Sequence, residues 1–337
     1  MNRQHCGQIE SIVDIPSYEN GPQRVFTLSA FAFRREGDAN RNMIHNVSFL
    51  RDCRMPGSWM SILLLISLAG CILQTDELPH MIHVPSIALE TSQLEGTQSA
   101  RIEDVWVYTE TDVYGAFPLP ADIPWPMTKG PATLRFLPGI RANGVSATRQ
   151  PYPFFETLEW DLVPEPGGRD TVIWTTTYND FAQVSVVEDF ELANRFSESI
   201  TSTSEIHRVT EPEWVFEGEA SGRAELTPTE ALLVAATNEQ QLELNSEGPV
   251  WLEMDFSCNQ VFAIGLEAHN LVEVTRTPIL VLNPTGTEWK KIYLDLGPVV
   301  RSSTSAAWFE ISLDANYDGS VDTAWLALDN LKIVQYE

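Results

Sequence analysis

The chain holds 337 residues, 43% hydrophobic and 20% charged, the balance of a globular protein with enough apolar surface for more than one core. Its 21 basic against 47 acidic residues leave a formal charge of -26, so a polyanion is repelled from most of its surface and nucleic acid is excluded as a partner. Seven arginines and six acids fall within the first 70 residues, so the acidity belongs to the part that follows.

Residues 1–42 carry no helical or strand period and read as untranslated upstream sequence or a disordered extension. A start at Met43 makes residues 43–70 a leader of ordinary length, with Arg51 and Arg54 ahead of an apolar core. That core, Trp59 to Gly70, falls short of the roughly 20 residues that a membrane span needs, and has the length of a signal-peptide core. It closes on Leu68-Ala69-Gly70-Cys71, which resembles the lipobox of bacterial lipoproteins. The resemblance implies cleavage before Cys71, acyl chains on its thiol, and a lipid-anchored protein at the outer membrane that faces the periplasm or the outside. Asp76-Glu77, close behind the lipid, resembles the export signal of surface-exposed Bacteroidetes lipoproteins, or is an ordinary solvated linker. Processing leaves Cys71 and Cys258, and with the first spent on lipid no internal disulfide forms. Cys258 sits in a strand-like alternation and reads as a buried, inert thiol.

Residues 71–100 read as a lipidated tether, ordered only where Ile82, Val84 and Ile87 pair as a strand. From 101 to 187, short strand patterns (Val105–Tyr108, Ala132–Phe136, Thr171–Trp174) alternate with prolines and glycines too dense for long helices. A small antiparallel, Ig-like sandwich fits. Residues 188–337 hold eight further patterns: Trp214–Glu217, Ala224–Leu226, Val250–Phe256, Val261–Leu266, Ile279–Leu282, Lys291–Leu296, Trp308–Leu313 and Ala324–Val334. Eight strands in about 150 residues is the size of a jelly roll. The fold class is therefore all-β, with two β-sandwich domains behind a signal peptide and tether.

The sharpest local motif is Asp314-Ala315-Asn316-Tyr317-Asp318-Gly319-Ser320-Val321-Asp322, whose oxygen side chains at positions 1, 3, 5 and 9 and glycine at 6 match a calcium loop. Trp325 stands at position 12, where such a loop places its bidentate glutamate, so a polar hairpin turn is the competing reading. His80 and His83 are flanked by Pro79 and Pro85, which removes the helix that would align them as metal ligands, and His207 and His269 stand alone. No nucleophile elbow, zinc-protease motif, phosphate loop or dinucleotide fingerprint occurs. Of the aromatics crowded into 101–187, those beside prolines, Trp125, Tyr152 and Phe154, are the candidates for an exposed platform that binds a sugar or a protein partner.

Asp104-Val105-Trp106-Val107-Tyr108, Gly115-Ala116-Phe117-Pro118-Leu119-Pro120 and Pro138-Gly139-Ile140 resemble poorly characterised Bacteroidetes envelope lipoproteins. Glu188-Asp189-Phe190-Glu191 and Leu328-Asp329-Asn330-Leu331-Lys332-Ile333 resemble the opening and closing strands of carbohydrate-binding-module-like jelly rolls. That second resemblance implies a structural calcium held by Glu191 and Asp329. The function expected is a non-enzymatic accessory or binding subunit of an envelope complex. The alternatives are glycan binding at the cell surface, with Trp214, Trp251, Trp289 or Trp308 as platform, and a carbohydrate-active enzyme.

Overall fold

The computed structural model describes residues 77–238 and 241–337. The extension, the leader and the lipobox Leu68, Ala69, Gly70 and Cys71 lie outside the described residues. Among those described, no helix is long and apolar enough to cross a membrane.

The first half is built from β1 (His80–Val84), β2 (Ile87–Leu89), β3 (Asp104–Tyr108), β4 (Val113–Pro118), β5 (Ala121–Trp125), β6 (Ala132–Arg141), β7 (Arg149–Pro151), β8 (Leu158–Leu162), β9 (Arg169–Thr171) and β10 (Trp174–Thr176). The segment expected to be a tether is thus part of the sheets from His80 onward. Pro85 cannot donate a ladder hydrogen bond, and the strand breaks there. β1 lies between β5 and β9, whereas β2 pairs with β10 in a separate ladder. The same step splits the expected strand Thr171–Trp174: β9 follows β1, β10 follows β2, and Ile173 at the step is exposed. Facing β1 and β5 is a sheet ordered β4-β3-β6-β7 with β8 on β6. Ile82, Ile123, Val105, Leu134 and Phe136 fill the space between.

The second half contributes β11 (Ala182–Glu188), β12 (Phe196–Glu198), β13 (Ile206–Val209), β14 (Ser221–Leu226), β15 (Leu232–Thr237), β16 (Val250–Cys258), β17 (Phe262–His269), β18 (Val274–Leu282), β19 (Gly286–Asp295), β20 (Trp308–Asn316) and β21 (Ala324–Tyr336), with one short helix, Gly297–Ser302. They form two packed sheets, an inner one ordered β13-β14-β21-β16-β19 with β11 on β21, and an outer one ordered β12-β15-β20-β17-β18. Alternation builds the core: Leu252, Met254 and Phe256 of β16 face Ile264, Leu266, Ile311 and Leu313 of the outer sheet. β11 belongs to the inner sheet through its pairing with β21, so the hydrogen bonding passes from one half to the other between Thr176 and Ala182, ahead of the expected boundary at 187. Trp214–Glu217, expected as a strand, is a loop. Pro212 and Gly218, which has φ of +70°, bend it across the outward face of the inner sheet.

The two halves are packed against each other. Ile140, Tyr152, Phe154 and Phe155 of the first meet Trp251, Tyr293 and Val334 of the inner sheet in a shared apolar cluster.

Candidate functional site

The three residues expected to form an exposed platform are core residues. Trp125 is buried beside Tyr114, and its indole N–H donates to Gly130 O at 2.9 Å. Tyr152 and Phe154 are buried at the junction, where Tyr152 packs edge-on against Trp251. Proline neighbours bent the chain at these positions, and a second sheet then covered the rings.

The expected calcium loop is a turn that carries the chain from β20 of the outer sheet to β21 of the inner one; the two strands do not pair, so it is not the competing hairpin either. Asp314 does not point into it: its carboxylate takes the Arg276 guanidinium at 2.7 Å. The Ser320 hydroxyl and then its N–H, at 2.8 Å, hold the Asp318 carboxyl below the usual range, and the Tyr317 hydroxyl donates to Val321 O. Asn316 pairs with Leu232 across the ladder, and Asp322 closes the turn. The second expected site fits an ion no better. Glu191 accepts the Glu219 N–H at 3.0 Å, and Asp329 accepts the Ser221 hydroxyl at 2.7 Å and the Glu217 N–H at 3.4 Å. Donors from residues 217–221 thus bind both carboxylates. Gly218 permits this approach, since a Cβ there would meet Glu191 Oε1 at 2.0 Å.

The junction holds a buried polar network. Glu253, fully buried, accepts the hydroxyls of Tyr152 at 2.9 Å and Tyr178 at 3.0 Å. Asp255 accepts the Ser99 hydroxyl at 2.9 Å and lies 3.3 Å from Lys291 Nζ. Lys332 Nζ donates to Thr97 O at 2.9 Å and Tyr178 Oη at 3.1 Å. Burial, reinforced by the Glu253 charge, lifts the three phenols Tyr152, Tyr178 and Tyr293 well above their usual range, so they remain neutral; the first two donate to Glu253, and Tyr293 accepts the Arg101 N–H at 3.0 Å. Burial also brings Lys332 down to about 8 against the pull of Glu253, and pushes Asp329 up to about 7 against its hydrogen bonds. Cys258 is buried, and burial raises its thiol to about 11, which leaves it protonated and inert. These groups serve each other. The adjoining cavity of about 430 Å³ is lined by Thr97, Asp189, Glu191, Glu217, Asn330 and Lys332.

The accessible polar cleft lies at the other edge of the inner sheet. It has a volume of about 470 Å³ and is lined by Thr203, Glu205, His207, Arg223, Glu225 and Glu230. The two-residue period of the strands places these groups together. His207 on β13 lies opposite Arg223 on β14, and Glu225, two residues further, lies opposite Trp325 on β21. Arg223 stands 3.8 Å over the ring of Trp214, which meets Trp325 edge-on at 4.8 Å, and its Nη1 pairs with Glu225 at 2.5 Å. Arg223 Nε is buried without a protein acceptor. Of the tryptophans expected as platforms, Trp214 does not line this cleft but stacks against its Arg223, and Trp308 lies on the outer sheet against His269. Trp251 is buried at the junction, and Trp289 is covered by Phe216. His207, alone in sequence, gained its neighbours through strand pairing. A second group, Glu267, His269 and Glu310 on the outer sheet, brings three metal-ligating atoms together.

No protein-family model matches the sequence, and no curated protein matches it. Solved structures with some similarity include a family 11 carbohydrate-binding module of the cellulosomal cellulase Lic26A-Cel5E of Clostridium thermocellum. It is 10% identical, covers 45% of this chain and 94% of its own, and has a TM-score of 0.33. Another, from a study of carbohydrate-binding modules of the β-sandwich superfamily, is 13% identical over 68% of this chain and 83% of its own, also at 0.33. An arabinose-bound GH51 α-L-arabinofuranosidase is 11% identical over 46% of this chain, at 0.35, and the match spans 26% of that enzyme.

Proposed function

We propose that this chain is a non-enzymatic glycan-binding β-sandwich protein, presented from the outer membrane by lipid on Cys71, and that the cleft around Arg223 is where the sugar is held. The observation that carries the reading is the guanidinium held 3.8 Å over the Trp214 ring, with carboxylates and an imidazole around it. A pyranose ring offers pairs of neighbouring hydroxyls. Planar charged groups that form paired, charge-assisted hydrogen bonds match those hydroxyls. Here such groups are preorganised by a stacked ring and by strand register, so little side-chain entropy is lost when ligand binds. A volume of about 470 Å³ lies within the range of small-molecule sites and accommodates one or two sugar units.

The subunit reading has less support. It rested on the lipobox, the absence of catalytic motifs and the aromatic-rich first half, and of these the aromatics Trp125, Tyr152 and Phe154 are spent inside the fold. A glycan array probed with the full mature chain, carrying Cys71→Ser for solubility, tests the proposal. Binding to a defined set of glycans that falls at least tenfold in Arg223→Ala and Glu225→Gln is the expected result. Absence of any glycan signal, or binding that both variants retain, overturns it.

A further inference from the structure

We propose a binding site for a divalent transition metal of the zinc class on the outer sheet, formed by Glu267, His269 and Glu310. The three residues come from two strands. Glu267 and His269 are two apart on β17 and share a face, and β20 places Glu310 directly opposite Glu267 and Trp308 opposite His269. His269 Nε2 lies 3.1 Å from Glu310 Oε2 and 3.4 Å from Glu267 Oε2, and the three donor atoms all fall within 4.8 Å of one another. For metal–ligand bonds of about 2.1 Å, neighbouring donors stand roughly 3.0 Å apart in an octahedron and roughly 3.4 Å apart in a tetrahedron. The two separations from His269 Nε2 are those of neighbouring donors in such a coordination shell, and the two carboxylate oxygens lie within 4.8 Å of each other.

An ordinary ion pair is the competing account, and the geometry opposes it. A protonated imidazole between two carboxylates directs its N–H at one of them. Here Nε2 is buried and within ion-pair distance of both carboxylates, yet neither oxygen meets hydrogen-bond alignment with it. The atoms converge on a shared point.

The surroundings hold the donors in place. Trp308 stacks on the His269 ring at 5.1 Å with planes 16° apart, which fixes the direction of Nε2. Arg276 binds the other oxygen of Glu267, Oε1, at 2.7 Å, leaving Oε2 turned to His269, and its second arm reaches Asp314. Ligands oriented by such outer partners are the usual construction of metal sites. Gly265 makes the arrangement possible. A register shift on β17 falls at this residue, and a Cβ there would meet Thr277 O of β18 at 2.2 Å. One imidazole with two carboxylates selects zinc, manganese, iron or cobalt over calcium, which takes oxygen donors alone. The ligand side chains retain 14–15% exposure, so solvent completes the shell.

The test uses the full mature Cys71→Ser protein, freed of metal, in titrations with Zn²⁺ and Ca²⁺ and in visible spectroscopy with Co²⁺. The expected result is one equivalent of Zn²⁺, at least tenfold weaker binding in His269→Ala and in Glu310→Gln, Co²⁺ bands in the visible that both variants lose, and no comparable Ca²⁺ uptake. Circular dichroism and thermal unfolding of the variants check that the fold is kept. Arg223→Ala, in the glycan cleft, keeps full metal binding, which separates the two proposals. Absence of stoichiometric Zn²⁺ or Co²⁺ binding, binding that survives both ligand variants, or a preference for Ca²⁺ overturns the inference.

Discussion

The two sheets of the second half obey the same alternation, and their outward faces meet opposite fates. The inner sheet turns Trp251, Glu253, Asp255, Lys332 and Val334 toward the first half and the 211–219 loop, and all five are buried. The outer sheet turns Glu267, His269, Glu310, Asp314 and Arg276 outward, and each retains some contact with solvent. Charged strand residues thus serve as an internal joint on one side and as a ligand surface on the other. What decides is whether a second layer arrives to cover them. Substitutions of the same kind should therefore be expensive on the inner sheet and cheap on the outer one.

The largest effect is expected at Glu253. Replacing it by Leu removes the acceptor of two buried phenols and leaves Lys291 and Lys332 with one carboxylate fewer. Breaking a buried charge network by removing one member costs about 3 to 5 kcal/mol. Urea unfolding of the variant should show a loss of that order. A loss under 1 kcal/mol would mean that the two halves do not depend on this joint.

Phe154→Ala is expected to follow closely. It empties a fully buried ring site between Tyr152 and Tyr336, and such truncations cost about 3 to 5 kcal/mol. Its neighbour Tyr152→Phe keeps the ring and loses one hydrogen bond to Glu253, for about 1 to 3 kcal/mol. The order of the two in the same unfolding assay separates packing from polar satisfaction at the junction.

Asp329 gives the joint a pH dependence whose sign is fixed. Its folded pKa, about 7, lies above the unfolded 3.8, so between these values the folded state binds the extra proton. Stability from this group is complete below about pH 4 and is lost as pH rises through 7. Lys332 acts in the opposite sense higher up. With a folded value of about 8 against 10.5, the unfolded state binds more protons in that window, and stability recovers as pH climbs across it. Asp329→Asn should be more favourable, relative to the parent, at pH 8 than at pH 5. A mutational difference that does not change with pH would show that Asp329 is ionised throughout in the folded chain.

Much of this architecture was legible because burial in a sandwich writes itself into the sequence as alternation. Trp251 to Cys258 and Phe309 to Ala315 announce their inward faces. The period cannot say what covers the other face. Tyr152 and Phe154 read as exposed beside their prolines, yet the strands that bury them lie about a hundred residues or more away in the chain. Trp214 and Phe216 carry strand composition, but they are loop residues because the inner sheet already has its strands and offers a face to cross. The Asp314 motif misled for a related reason. Its spacing matches a calcium loop, while Arg276, on a different strand, claims the first carboxylate. Neither His207 nor His269 stands in a known metal-ligand motif. The available signal was the i,i+2 pairing of Glu267 with His269 and of Trp308 with Glu310, which becomes informative only once β17 and β20 are known to be partners.

The smallest effect is expected on the outer sheet, from Arg276→Ala. In number of bonds this residue rivals the members of the joint: its guanidinium reaches Glu267, Asp314 and the carbonyl of Ala235. Its side chain nevertheless retains 22% exposure, and its partners 15% and 29%, so water replaces each lost bond and screens the carboxylates left behind. Pairs of this kind contribute about 0 to 1 kcal/mol, and the denaturation midpoint should move accordingly little. Its effect should appear in binding instead. Without Arg276, Glu267 loses the partner that holds Oε1 and turns Oε2 toward His269, so the variant is expected to weaken Zn²⁺ binding about tenfold while folding normally. A large fall in stability from Arg276→Ala would mean that the outer face is load-sharing like the inner one, and the contrast between the two sheets would then fail.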